Sequence, residues 1–403
     1  MMGVLKWELR KIWQPGILAA LLLLGVVYYW MFPQFYIAYF CNGPGAEAEF
    51  LLASGWVEKY GPTMEPEERA ELDGQLAEEI QAFNRLISAI PEAAAAGLTD
   101  YARFCAFRED YLDDIRNTDG TADMETEFLL NRIYGGTNWY LIRELTSTME
   151  TYDTKSEYDA INIENRRKLG DPEAVIQRDM EIASSDTAYS LLPMPVKEST
   201  RQYGMDLAVW CVLSVVLLLS PALVRDRLRK IQPMQWSARA GRKILHTQMG
   251  AALLSALVLT AVNLTVYAVP FLMKGPLRFA DCGLDGLWAW GTPWFDWTYG
   301  TYLLVLAAVV LLLSLGAAGL TVFLSQYSGN YVAMLLKALP LFIVVGAILG
   351  SWLLDAPFHF RRWWENGPWA PRGVELMIML PLLLLGLGLC LWSCRRQARR
   401  ELA

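Results

Sequence analysis

The chain has 403 residues, of which 54% are apolar and only 19% are charged, whereas water-soluble proteins carry about a quarter charged residues. The formal net charge of −7 is unevenly divided: residues 41–204 hold 32 acidic and 15 basic side chains, and the rest of the chain has a net charge of +10. This division argues against a single globular enzyme domain, a disordered chain and a basic protein that binds nucleic acid. It favours a membrane protein with one acidic, water-soluble insert.

The first 16 residues form a basic leader. Their spacing predicts a short amphipathic helix that lies in the membrane interface before the chain turns inward at Pro15 and Gly16. In this arrangement most charges face water, and four apolar side chains face lipid: Leu5, Leu9, Ile12 and Trp13. We therefore predict a cytoplasmic amphipathic helix over residues 1–16.

Six segments are predicted to cross a membrane, because a bilayer core requires about 20 mainly apolar residues. The first is residues 17–40, whose apolar stretch is too long for a cleaved signal peptide, so we expect an uncleaved anchor. Five further spans are predicted within residues 205–403, at about 205–224, 249–273, 302–324, 331–354 and 374–393. The predicted fold is therefore an all-α integral membrane protein with six transmembrane helices and a helical extracytoplasmic domain between the first and second.

The distribution of Lys and Arg predicts the orientation of these spans. The leader, the loop after the second span and the C-terminal tail hold 14 of the 20 basic residues outside the insert. With six spans these three segments share one side, and positive charge marks the cytoplasmic side. Both termini are therefore expected in the cytoplasm, and residues 41–204 outside.

Residues 41–204 are expected to fold as a small helical domain. From Glu65 to Ile90 the apolar positions recur with the spacing of one helix face, and Glu79 alone interrupts that face. Helix starts are predicted by a capping-box spacing from Thr154 to Glu157 and by the pair Asp171-Pro172. Turn-forming residues at 117–120, 135–136 and 192–195 add three breaks, so five or six helices are predicted.

The insert lacks a recognisable catalytic set. It contains no histidine, the commonest general base and the usual zinc ligand, and its carboxylates are typical of a solvated acidic surface. Four neighbouring aspartates lack the spacing of an EF-hand loop: Asp113, Asp114, Asp119 and Asp123. No catalytic residue, metal or cofactor is predicted in this chain. The sequence does not determine whether Cys41, Cys105 and Cys282 form a disulfide, and we expect no essential disulfide.

Tryptophans are concentrated in and beside the two short loops on the predicted outer side. An aromatic belt at the outer membrane interface accounts for this placement, and a vestibule that contacts substrate is the alternative. The six residues assigned to this outer interface are Trp288, Trp290, Trp294, Trp297, Trp363 and Trp364.

The sequence shows no means of driving uphill transport, so the energy for such transport would have to come from another subunit. The chain contains no Gly-Lys dipeptide and so no phosphate-binding loop of the Walker type, and no series of buried carboxylates suggests a proton-driven pump. Lys337, near the cytoplasmic end of the fifth span, either extends to the interface or serves as a functional cation within the bundle.

Residues 225–243, called the basic segment below, combine seven cations with apolar residues. The positive-inside rule accounts for the cations, but not for Met234 and Trp236. These two either rest on the membrane interface or fill a groove of a partner protein. The residues assigned to partner contact are Arg225, Arg229, Met234, Trp236, Arg239, Arg242 and Lys243.

The sequence resembles the permease subunits of bacterial ABC transporters of the type-2 exporter class. The resemblance lies in the leader motif Trp7-Glu8-Leu9-Arg10-Lys11, in the stretch from Trp236 to Leu245 before the third span, and in the layout of six spans with a large outer domain after the first. It implies that Trp7, Glu8, Arg10 and Lys11 belong to an elbow helix. It also implies that the basic segment docks on a separate cytosolic ATPase.

The same resemblance implies a bacterial plasma-membrane location and a pathway formed with a second copy or a sister permease. It leaves open whether the substrate is a peptide antibiotic, a lipid or an ion, and what the outer domain does. The alternative is a receptor whose outer domain binds a ligand or protein and signals without transport. A membrane-embedded enzyme is a third hypothesis, which the missing catalytic residues disfavour.

Overall fold

The computed structural model describes residues 2–117, 123–228, 244–288, 292–344, 346 and 374–399. Within these ranges the chain is built from helices, and its β-type pairing is confined to isolated bridges such as that between Thr63 and Ser190. The prediction of an all-α fold is confirmed at this level.

The leader and the first predicted span form three helices. α1 (Met2–Ile12) and α2 (Pro15–Met31) meet at an angle of 46°, and α3 (Pro33–Ala38) follows after Phe32. Residues that precede proline avoid the helical region, and Phe32 indeed leaves it with φ −127° and ψ −77°. The segment predicted as a single span over residues 17–40 is therefore interrupted at Phe32.

The insert, residues 41–204, contains seven helices that lie wholly within it and the start of an eighth, among the residues described. Proline occupies the first turn of three of them, where its missing N–H costs nothing. In chain order these helices are α4 (Pro44–Tyr60), α5 (Pro66–Ser88), α6 (Pro91–Ala95), α7 (Tyr101–Asn117), α8 (Met124–Gly136), α9 (Trp139–Leu169) and α10 (Glu173–Ala183). A short 3₁₀ turn, Asp186–Tyr189, then leads to the next long helix.

Most of the apolar face predicted for α5 is buried or partly buried, although Leu86 is 42% exposed. Leu72, Phe83 and Ile87 have no exposed surface, and they divide between the two apolar clusters of the insert. Glu79, the exception on that face, accepts a 2.5 Å hydrogen bond from the side-chain amide of Asn138. A carboxylate can occupy this position because the start of α9 supplies it with a donor.

Two of the predicted helix starts differ from the structure. The predicted cap at Thr154 is wrong, because the residue lies inside α9 and its hydroxyl donates to the carbonyl oxygen of Glu150 at 2.7 Å. A threonine can bond to the turn before it within a helix, so the capping-box spacing alone does not mark a start. α10 begins at Glu173, one residue after the proline expected at its first position, and Asp171 instead pairs with Arg166 at 3.2 Å.

Three described helices are long and apolar enough to cross a membrane: α11 (Met194–Leu228), α12 (Ile244–Leu272) and α13 (Tyr299–Ser325). The bent pair of α1 and α2 adds a fourth if it is taken as one span. α14 (Tyr331–Phe342) and the apolar part of α15 (Val374–Arg399) are shorter, and residues 347–373 lie outside the described ranges. The count of six spans therefore stays a prediction.

α13 lies at the centre of the membrane helices and contacts α11, α12 and α15. Its packing against α15 depends on glycines: a Cβ at Gly319 would lie 2.7 Å from the carbonyl carbon of Gly386, and a Cβ at Gly386 would overlap the carbonyl oxygen of Gly316. Small residues at such crossings let two helix backbones approach closely in a membrane.

Candidate functional site at the base of the insert

The leader helix α1 packs against other helices of the chain, whereas the sequence predicts that its apolar side faces lipid. Ile12 is 3% exposed and joins a cluster formed by α11 and α12, and Leu5, Leu9 and Trp13 pack against the same cluster. The indole N–H of Trp13 donates to the hydroxyl of Ser255 at 2.9 Å. The prediction that Ile12 faces lipid is therefore wrong, because this side of α1 packs on α11 and α12.

The four residues assigned to the elbow helix lie on α1 and differ in exposure. Trp7 is 65% exposed, with the Arg10 guanidinium 5.5 Å from the centre of its ring. Glu8 is buried and forms an ion pair of 2.8 Å with Lys11. This pair places an acidic group on the buried side of a basic helix and neutralises it there.

The basic segment falls mostly outside the described ranges. Arg225 lies in the last turn of α11, and the other six residues assigned to partner contact are not described: Arg229, Met234, Trp236, Arg239, Arg242 and Lys243. The segment joins the end of α11 to the start of α12, and α1 contacts both helices. Lys337, on α14, is exposed and donates to the carbonyl oxygen of Tyr327 at 2.7 Å.

The loop between α12 and α13, residues 273–298, is called the junction loop. Three of the assigned tryptophans lie in its described part and contact protein: Trp288 stacks on Trp56 of α4, Trp297 stacks on Phe295, and Trp294 is 5% exposed. Trp290, Trp363 and Trp364 lie outside the described ranges. Packing within the protein, for Trp288 against the insert, therefore accounts for part of the tryptophan cluster that the sequence assigns to the membrane interface.

Two arginines of the insert hold the junction loop. The Arg178 guanidinium, on α10, donates to the carbonyl oxygen of Pro293 at 2.8 Å and to Asp296 at 2.6 Å. Arg166, at the end of α9, donates to the hydroxyl of Thr292 at 2.8 Å and lies 2.6 Å from Asp179. Charge-assisted bonds of this kind are stronger than neutral ones, so the loop is fixed to α9 and α10.

The start of α11 is fastened to the same loop. Lys197 is 5% exposed and donates to the carbonyl oxygen of Leu284 at 3.0 Å. Asp285, which follows Leu284 in the junction loop, is 2% exposed and accepts a 2.9 Å hydrogen bond from the hydroxyl of Thr187. Burial raises the pKa of Asp285, and the hydrogen bond from Thr187 opposes that rise. The insert, the junction loop and α11 thus meet in one polar contact.

Glu49 of α4 caps the first turn of α11. Its carboxylate accepts a 2.7 Å bond from the backbone N–H of Met194, a donor that has no partner within the helix. Burial raises the pKa of Glu49 to about 7, the Met194 bond opposes that rise, and the nearby carboxylate of Glu144 adds to it. The charge of this cap therefore changes near neutral pH.

A cavity of about 490 Å³ lies beside this contact, between α9, α10 and residues 285–288 of the junction loop. Its volume falls in the range of small-molecule sites. Sequence reasoning missed it, although a signal exists: hydroxyl, amide and charged residues recur every three or four positions along α9, from Ser147 to Arg166. A search for apolar periodicity does not detect such a polar face.

The described residues define an all-α protein in which a helical insert packs on helices long and apolar enough to cross a membrane. Comparison of the chain with protein-family models, with curated proteins and with solved structures found no match.

Proposed function

We propose that this chain is the membrane-spanning permease subunit of an ATP-driven ABC exporter in a bacterial plasma membrane. α11 is the observation that carries the proposal. It is one helix of 35 residues, about 50 Å long at the usual rise per residue. Its first turns pack in the base of the insert, and its last turn enters the basic segment. A cytosolic ATPase bound to the basic segment would therefore act on the outer domain through one helix.

The contacts at the two ends of α11 support this transmission. At one end α1 packs on both α11 and α12, so a displacement of the basic segment would also move the leader and α2. At the other end Lys197 bonds to the junction loop, and the hydroxyls of Thr200 and Tyr299 lie 2.6 Å apart. The start of α13 would therefore move with α11.

Mutation of the basic segment tests the proposed ATPase contact. The full-length protein and a variant carrying Met234→Asp and Trp236→Asp are purified in detergent from the native cells, and bound cytosolic ATPases are identified by mass spectrometry. We expect the double variant to retain less than a tenth of the ATPase, because two charges enter an apolar contact. The matched control is Met124→Asp with Phe128→Asp, two exposed residues of the insert, which should bind normally. Normal binding by the double variant would refute the coupling site.

The cavity in the insert favours the second candidate, a receptor that signals without transport. A receptor binds its ligand through the outer domain, and α11 would carry the signal inward. The two functions differ in one result: a permease alters the turnover of a bound ATPase, whereas a receptor of this kind leaves ATP turnover unchanged when ligand binds.

A further inference from the structure

The cavity beside the junction loop is lined on one side by a mostly polar face of α9. This face is partly open to solvent, because Thr154 and Tyr158 are exposed. Six lining residues follow the helical spacing: Ser147, Thr151, Thr154, Tyr158, Asn162 and Arg166. The opposite wall is apolar in part, with Ile182 of α10 and with Leu287 and Trp288 of the junction loop. The cavity therefore has one hydrogen-bonding wall and one wall that combines apolar side chains with Asp179 and Asp285.

The charges in the lining are compensated within the protein. Lys155 and Asp159 form an ion pair of 2.7 Å, and Arg166 lies 2.6 Å from Asp179. Asp285 accepts a hydrogen bond from Thr187, and the charge of Lys197 is close enough to interact with it. A charged ligand would have to break these pairs, at the cost of leaving a half-buried charge without its partner.

The uncharged groups retain capacity for hydrogen bonds. Asn162 is half-buried, and its amide makes no hydrogen bond to another described residue. The Thr151 and Thr154 hydroxyls donate to backbone carbonyls of α9 at 2.7 Å, which leaves their oxygen lone pairs free to accept. Across the cavity the Trp288 ring is held by stacking on Trp56, so it offers a fixed apolar surface.

We propose that this cavity binds a neutral ligand rich in hydroxyl groups, of the size of one or two sugar rings. The ring hydroxyls would bond to Asn162 and to the threonines of α9, and the apolar C–H face would lie on the wall that contains Trp288. Either a free glycan or the sugar headgroup of a lipid presents this chemistry. The proposal does not depend on the transport function, because it concerns binding to the insert alone.

Ligand NMR on the full-length protein tests the proposal. The protein is placed in phosphatidylcholine nanodiscs, and saturation transfer to lactose, maltose and chitobiose is measured in titrations. We expect at least one of these sugars to bind saturably. The Asn162→Leu variant keeps the branched shape and the number of heavy atoms of the side chain but loses the amide, so it should weaken binding about tenfold. Thr151→Val should act in the same direction. Ser156→Ala, on an exposed part of α9 outside the lining, is the matched control and should bind as the wild type does.

The outcomes divide clearly. Saturable binding that Asn162→Leu weakens supports the proposal. If a galactosyl lipid added to the nanodisc removes the signal of the soluble sugar, the headgroup is the better ligand; if it does not, a free glycan is. The absence of saturable binding by all three sugars overturns the proposal, and so does equal binding by the wild type and the variants of Asn162 and Thr151.

Discussion

Charged side chains with almost no exposed surface concentrate where the insert meets the membrane helices. Arg178 and Lys197 each give hydrogen bonds to carbonyl oxygens of the junction loop. Such groups are costly to bury unless their bonds are made, so they hold the loop in one arrangement. Asp285 and Glu49 complete the contact, and the four residues come from four separate parts of the chain.

Glu49 makes the stability of this contact depend on pH. Its pKa is about 7 in the folded protein, above the ordinary value of 4.5, so the folded state binds more protons between these values than the unfolded state. Stability should therefore fall as pH rises from about 4.5 to about 7. Glu49→Gln retains an oxygen that accepts from Met194 but cannot ionise. Hydrogen exchange at the first turns of α11 should accelerate with rising pH in the wild type, beyond the intrinsic rate, and not in the variant. The same profile in both proteins would contradict this role.

At the scale of helices, the sequence predicts what repeats locally. The periodic apolar face identified α5, and apolar length identified α12 and α13. The break at Phe32 can be predicted from the sequence, because the proline that follows it disfavours a continuous helix. Hydropathy does not predict that α11 extends to Met194, because it marks only the apolar stretch and not the turns that pack in the insert. The break predicted at residues 192–195 does coincide with the start of this helix. The contact between the insert and the junction loop cannot be predicted in this way. Arg178 and Asp296 are more than 100 positions apart, and no local pattern links them.

The close packing of α13 against α15 can be tested by replacing the glycines at their contact. Gly319→Ala would place a methyl group 2.7 Å from backbone atoms of α15, so α13 and α15 must separate. We expect this variant to be destabilised by about 1–3 kcal/mol, measured as a lower midpoint of thermal unfolding in detergent. Gly250→Ala on α12 is the matched control, because its Cβ would meet no atom within 4 Å. It should be neutral or slightly stabilising. Equal midpoints for the two variants would show that the glycine crossing is unimportant.

At the scale of the whole molecule, the acidic insert and the basic segment lie at opposite ends of one helix. The insert carries an excess of 17 negative charges over positive ones, and the remainder of the chain an excess of 10 positive charges. This separation suits a protein that meets a partner on one side of a membrane and a ligand on the other. In the function we propose, the partner is a cytosolic ATPase, and the ligand is the neutral compound that we propose for the cavity beside the junction loop.

The most direct test of the permease function is the ATPase activity of the wild-type protein purified from its native cells. The full-length chain is purified in mild detergent, its bound proteins are identified, and ATP hydrolysis is measured before and after the complex is placed in nanodiscs. We expect a cytosolic ATPase to copurify in constant proportion to the chain, and its rate of ATP hydrolysis to change when the chain is removed. Purification of the intact chain without any ATPase, or with an ATPase whose turnover is the same when the chain is removed, would contradict the permease function.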